Sequence, residues 1–228
     1  MNFIQLEDFT KHYHTLLGDR KIVFEKSNLK INEGETIGLL GLNGTGKTTL
    51  CNMIAGAESL TSGSIKKQGH VSWPIGIFSS LVPTLTGRHN IYFLSDLLGA
   101  NKDEIFEIVS LNTELGTDLD RRVATYSAGM KSKLAFFLSL SFKFDFYIFD
   151  EVISVGDAIF REKASKYFKQ LIDSSSVLLC SHNLNTIKEN CNKCYVIKDR
   201  RLSEKLDIED GVKLYDEVIK ENRLKKQS

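Results

Sequence analysis

The chain has 228 residues, 42% of them hydrophobic, with 30 basic against 29 acidic side chains and a formal charge of +1. That apolar content over that length buries a sizeable core, in one large domain or one domain plus a subdomain, and excludes an intrinsically disordered chain. A near-neutral charge supplies no general attraction to nucleic acid or acidic surfaces, so no nucleic-acid role is expected.

The opening residues, MNFIQLEDFTKHY, place acidic side chains where an export signal carries a basic start and an apolar run, so the chain is expected to stay in the cytoplasm. Segments 3–9 and 22–31 alternate apolar and polar residues on either side of LLGDRK, which predicts antiparallel strands. ETIGLLGLNG is a short continuous apolar run ending in glycines, and predicts a buried parallel strand feeding a tight turn. The stretch HVSWPIGIFSSLVPTLTGRHNI, 70–91, holds both prolines, Pro74 and Pro83, and the only tryptophan, Trp73. Proline fixes φ and lacks a backbone donor, so a held, irregular loop is expected there in place of a helix or central strand.

Helical periodicity follows near 88–98, 102–111 and 127–140. This block reads as a helical subdomain (86–140) inserted into an α/β core (1–85 and 141–228). FYIFDE predicts a buried strand, with Phe142, Phe144 and Phe146 alternating into it. DAIFREKASKYFKQLID predicts a helix with Phe160, Ala164, Phe168 and Leu171 on one stripe, and VLLCSH predicts another buried strand. The chain closes on a capped helix and a basic tail containing Arg223, Lys225 and Lys226. The apolar run LAFFLSLSF ends at Lys143 and Asp145, too short to cross a bilayer, so work at a membrane calls for a separate spanning partner. The four cysteines, at 51, 180, 191 and 194, include a lone CNKC with no second pair, and ordinary reduced thiols are expected.

GLNGTGKTT, from Gly41 to Thr49, fits G-x-x-x-x-G-K-[ST] through Gly41, Gly46, Lys47 and Thr48. Between a buried strand and a helix, such a loop turns its N–H groups inward around a polyphosphate, and side chains at the glycine positions would block that approach. Gly41, Asn43, Gly44, Thr45, Gly46, Lys47, Thr48 and Thr49 are therefore candidate phosphate-binding residues. Lys47 is placed to reach the β- and γ-phosphates and Thr48 to ligate Mg2+, with the positive end of the following helix against the anion. The loop alone allows a kinase, a GTPase or a motor. FYIFDE narrows the choice: Asp150 is placed to hold Mg2+, and Glu151 to take a proton from an attacking water, a general-base step worth roughly 10²- to 10⁴-fold. That order favours hydrolysis over transfer to a bound acceptor.

TYSAGMKSKLAFFLSLS places the small residues Ser127, Ala128 and Gly129 at the start of its helix. It resembles the signature helix of ATP-binding cassette (ABC) proteins, usually written L-S-G-G-Q, with Tyr126 and Met130 in place of the outer letters. SVGD, ending at Asp157, resembles the loop after the glutamate. His182 in CSHN resembles the histidine ending the next strand, and Tyr13 the aromatic residue that stacks on adenine. The resemblance covers almost the whole chain and implies an α/β P-loop NTPase of ABC type. Such a fold has a mostly parallel sheet core, an N-terminal antiparallel β region and an inserted helical subdomain. The resemblance also implies ATP and Mg2+ as cofactors, and Glu151, His182 and Lys47 in catalysis. Each ATP of a head-to-tail homodimer would lie between the P-loop of one subunit and the signature helix of the other, where Asp157 also contributes. Two helix N-termini, each carrying about half a positive charge, then face one polyphosphate.

VSWPIG, LTGRHNI, the Y-S-x-G-M signature and VGDAIFREK look most like the ATPase subunit of bacterial capsular-polysaccharide exporters. This implies a peripheral protein on the cytoplasmic face of the inner membrane, bound to a separate polytopic subunit, with the polysaccharide handled by the complex. An ABC ATPase for a different exported substrate, or a soluble non-transport ABC regulator, is the alternative. A chain ending at Ser228 is not expected to carry the C-terminal carbohydrate-binding domain common among O-antigen exporters. Where the family carries a glutamine beside the magnesium site, this chain has Val82, which neither ligates a metal nor orients water. Trp73, Pro74, Ile77, Phe78, Leu81 and Val82 are expected to form a stiff apolar patch for the membrane subunit.

Overall fold

The computed structural model describes residues 1–14, 18–76, 81–150, 158–181 and 183–227. The alternating N-terminal segments pair antiparallel as β1 (Phe3–His14) and β2 (Arg20–Asn32), from Phe3 opposite Asn32 to His14 opposite Arg20. Period-2 alternation sends Ile4 and Leu6 into the core with Leu29 and Ile31. A bulge then interrupts the register: Asp8 takes a φ of 45° and its N–H bonds the Asn28 side chain, so Phe9, not Asp8, faces inward onto Phe24. A third strand, β4 (Ser62–Gln68), pairs antiparallel with β1. Its sequence, SGSIKKQ, offers a single large apolar residue, Ile65, packed against the core, too little alternation to read as a strand.

The second sheet contains β3 (Thr36–Leu40), β5 (Val71–Ile75), β6 (Phe146–Asp150), β7 (Ser176–Cys180), β8 (Lys193–Lys198), β9 (Arg201–Leu202) and β10 (Leu206–Asp207). Its order is β10-β8-β3-β7-β6-β5, with β9 paired to β8. β3 runs parallel to β7 and β8, and β6 parallel to β7, while β9 and β10 lie antiparallel on β8. β6 and β7 are buried along their whole length, as continuous apolar runs in a two-sided parallel sheet require.

Two expectations are corrected by this sheet and its flanks. Pro74 lies inside β5, not in an irregular loop. β5 ends the strand order, and an edge strand tolerates a residue that cannot donate to a ladder. Phe142 and Phe144 precede β6 and do not belong to it; among the three alternating phenylalanines only Phe146 is in the strand. The basic tail lies within the last helix, which runs on through Arg223 and Lys225.

The helices are α1 (Lys47–Ala55), α2 (Gly87–Leu98), α3 (Lys102–Thr113), α4 (Ala128–Leu140), α5 (Ala158–Ser174), α6 (Leu184–Asn190) and α7 (Ile208–Gln227). The chain forms two compact units. The first comprises Met1–Pro74, Asp145–Glu151 and Leu171–Ser228, and its core joins Ile4, Leu6, Phe9, Leu39, Phe146 and Leu178 among others. The second comprises Ile75–Phe144 and Val152–Gln170. In it α4 is apolar on nearly every side, and Phe136 and Phe137 meet Phe160 edge-on at 5.8 Å between ring centroids.

Candidate functional site

β3 delivers the chain into the loop 41–46, which closes on itself when the Thr45 N–H (3.3 Å) and hydroxyl (2.7 Å) both donate to the Leu42 carbonyl. Gly46 then takes a φ of 107° and stands as the N-cap of α1. A Cβ there would meet Val23 Cγ1 at 2.4 Å and Phe24 at 2.9 Å, so β2 leaves room for glycine alone. Glycine also brings no side chain to cap α1, and the first-turn N–H groups make an anion-directed helix end. Lys47 is buried and donates its ammonium to the carbonyl oxygens of Gly41 (2.7 Å) and Leu42 (3.2 Å). A lysine cation and the positive end of α1 are thereby held together, an arrangement that an anion between them offsets. A cleft of about 330 Å³ beside Gly44 and Thr45 adds Lys21, Lys198 and Arg200 to its walls.

Asp150 ends β6 with only 5% exposure, and its Oδ2 accepts the Thr48 hydroxyl at 2.7 Å. A carboxylate and a hydroxyl side by side are hard oxygen donors of the kind Mg2+ takes, so these residues fit that ion. On β1, Tyr13 donates its phenol to Glu58 and lies 3.4 Å from the Thr49 hydroxyl. Its ring is 39% exposed and carries the Lys11 ammonium 4.7 Å from the centroid, itself held by Glu58 and the Ser59 carbonyl. The first unit thus gathers Tyr13, the loop 41–49 and Asp150.

The second unit holds Ser127, Ala128 and Gly129. Ser127 caps α4, its hydroxyl accepting the Met130 N–H at 3.2 Å, and Ser127 and Ala128 are exposed. Tyr126, at an outer letter of the signature, is buried and donates its phenol to the Asp118 carbonyl at 2.6 Å, which fixes the chain entering α4. Val82 is clamped through its backbone: its N–H donates to Asn90 Oδ1 at 2.7 Å and its carbonyl accepts from Asn90 Nδ2 at 3.1 Å. Asn90 also donates to the Thr86 carbonyl at 2.8 Å and is fully buried. Sequence reading missed Asn90; the signal was a polar residue on the stripe that also carries Ile91 and Leu94.

The expected docking patch is corrected in part. Pro74 and Leu81 are buried and Trp73 and Val82 half-buried, so these four pack into the protein more than they face out. Ile77 and Phe78 lie outside the described residues, as do Glu151, Asp157 and His182.

Residues 24–154 match the sequence profile of the ABC transporter family. The chain belongs to that family. This cassette is 42% identical over 198 residues to the polysialic acid transport ATP-binding protein KpsT of Escherichia coli, covering 86% of this chain and 88% of that one. It is 36% identical to the ATP-binding protein BexA of Haemophilus influenzae, covering 95% and 100%. It is 34% identical to the capsule polysaccharide export ATP-binding protein CtrD of Neisseria meningitidis serogroup B, covering 94% and 99%. In fold, the cassette resembles the dimeric post-hydrolysis structure of MJ0796 bound to ADP and phosphate, with a TM-score of 0.75 at 20% identity over 90% of this chain and 98% of that one. The α/β P-loop architecture of ABC type expected from the motifs is the one observed.

Proposed function

We propose that this cassette is the ATP-binding and ATP-hydrolysing motor subunit of an exporter of capsular or related cell-surface polysaccharide. The observation that carries the reading is the Lys47–Thr48–Asp150 site in a chain alike over most of its length to ATP-binding proteins named for polysialic acid transport and capsule polysaccharide export. Among the described residues no helix is long and apolar enough to cross a membrane. In this proposal the path through the membrane belongs to a separate polytopic subunit, and the cassette works peripherally on the cytoplasmic face of the inner membrane.

The first-turn amides of α1 and Lys47 bind the ATP polyphosphate in the loop 41–49. Thr48 and Asp150 hold Mg2+, which when bound neutralises phosphate charge and polarises the γ-phosphoryl group. Tyr13, with Lys11 against its ring, stacks on adenine. Ser127, Ala128 and Gly129 of a second copy present another helix N-terminus to the same polyphosphate, so ATP closes a homodimer. Glu151 takes the proton of the attacking water, while His182 and Asp157 take the places beside the reacting phosphate that the family resemblance gives them. Hydrolysis removes part of the charge that both helix ends share, and the clamp loosens.

The test is Glu151→Gln. It keeps the polyphosphate site and removes the base, so ATP binding persists, phosphate release falls by roughly 10²- to 10⁴-fold, and light scattering reports a dimer that ATP sustains. Hydrolysis at the wild-type rate overturns the assignment.

A further inference from the structure

Helix α1 and the ends of β6 and β7 bring two thiols and a carboxylate together. Asp150 on β6 stands opposite Cys180 on the parallel strand β7, so both side chains leave the same face of the sheet. On α1, Cys51 follows Thr48 by three residues and shares its face of the helix. The consequence is two adjacent contacts: the Thr48 hydroxyl on Asp150 at 2.7 Å, and Cys51 Sγ 3.3 Å from Cys180 Sγ. Both sulfurs and an Asp150 oxygen lie within 4.8 Å of one another, with both cysteines fully buried.

We propose that Cys51, Cys180 and Asp150 form a binding site for a thiophilic divalent cation, Zn2+ or Cd2+, next to the nucleotide-binding loop. Two sulfurs each about 2.3 Å from a tetrahedral zinc ion stand about 3.8 Å apart, so the observed pair needs to open by about 0.5 Å. Sulfur donors select zinc or cadmium, whereas Mg2+ takes oxygen ligands. As the ion enters, each thiol gives up its proton to solvent. Two thiolates and Asp150 then carry three negative charges, against two on the ion and one on Lys47. A cation among these groups offsets that charge. Thr48 is exposed, which makes the Thr48–Asp150 pair the way in. The consequence for activity rests on the proposed function: an Asp150 engaged by Zn2+ is withdrawn from Mg2+, and hydrolysis slows.

Cadmium is the probe, because cadmium–thiolate bonds absorb in the ultraviolet. The reduced full-length protein, without nucleotide, is titrated with Cd2+ and the charge-transfer band recorded. One equivalent is expected to develop the band. Cys51→Ser and Cys180→Ser should each weaken Cd2+ binding by on the order of 100-fold or more, since changes to outer-shell partners alone cost 10- to 100-fold. The double variant Cys191→Ser/Cys194→Ser should keep the band. A band that survives both single variants, or that disappears only with Cys191 and Cys194, overturns the site, as does a folded wild type with no band. The readout needs no ATP, so a chain that binds Cd2+ through Cys51 and Cys180 yet hydrolyses no ATP supports the site and contradicts the proposed function alone.

Discussion

Lys47 carries its charge on a buried side chain at the positive end of α1, with its ammonium on the Gly41 and Leu42 carbonyls. The lysine proposed to meet the phosphates therefore also ties the start of the loop to the start of the helix. Hydrogen bonds to a charged group contribute about 1.5–3 kcal/mol, and each 1.4 kcal/mol is about a factor of ten. Lys47→Ala should accordingly weaken ATP binding by about 10- to 100-fold in calorimetry. Unchanged affinity would count against the loop as the polyphosphate site. Gly46 shows why the motif spells glycine here: its φ of 107° and the 2.4 Å approach to Val23 are set by β2, from a distant part of the sequence.

Among the elements, α2 carries a device that no motif announces. Asn90, buried on its inner stripe, bonds Val82 from both sides of one residue and reaches back to the Thr86 carbonyl. Removing that amide strands the Val82 N–H, while the Val82 carbonyl keeps the Leu85 N–H at 3.1 Å. Asn90→Ala should lower the urea midpoint by the equivalent of about 1–3 kcal/mol, the cost of stranding such a group; a midpoint unchanged from wild type contradicts the clamp. Both bonds from Asn90 run through the Val82 backbone, so the clamp is indifferent to the side chain at that position. The elements legible in sequence were those whose period is local. α2 and α3 announced themselves by apolar spacing, α4 by its apolar run, and Ser127 by its place before α4. β4 did not, because a polar strand is defined by its neighbour β1, and Pro74 misled because its tolerance depends on β5 being an edge.

In the whole molecule, the loop 41–49 and the Asp150 strand were readable because each lies in one continuous motif, while the Thr48–Asp150 bond spans 102 positions and the Cys51–Cys180 contact 129. Such pairings follow from strand order and helix packing, which no local window contains. The first unit gathers the loop, Asp150 and Tyr13, and the second carries Ser127, Ala128 and Gly129 at the start of α4. In the proposed function, ATP turnover at the first unit drives polysaccharide to the cell surface. Its most direct test is to place Lys47→Ala in the cells that make this protein and to measure surface and intracellular polysaccharide at matched protein levels. Loss of the surface polymer with accumulation inside the cell is the predicted result. Surface polysaccharide at the wild-type amount, with the variant present at the wild-type level, would contradict it.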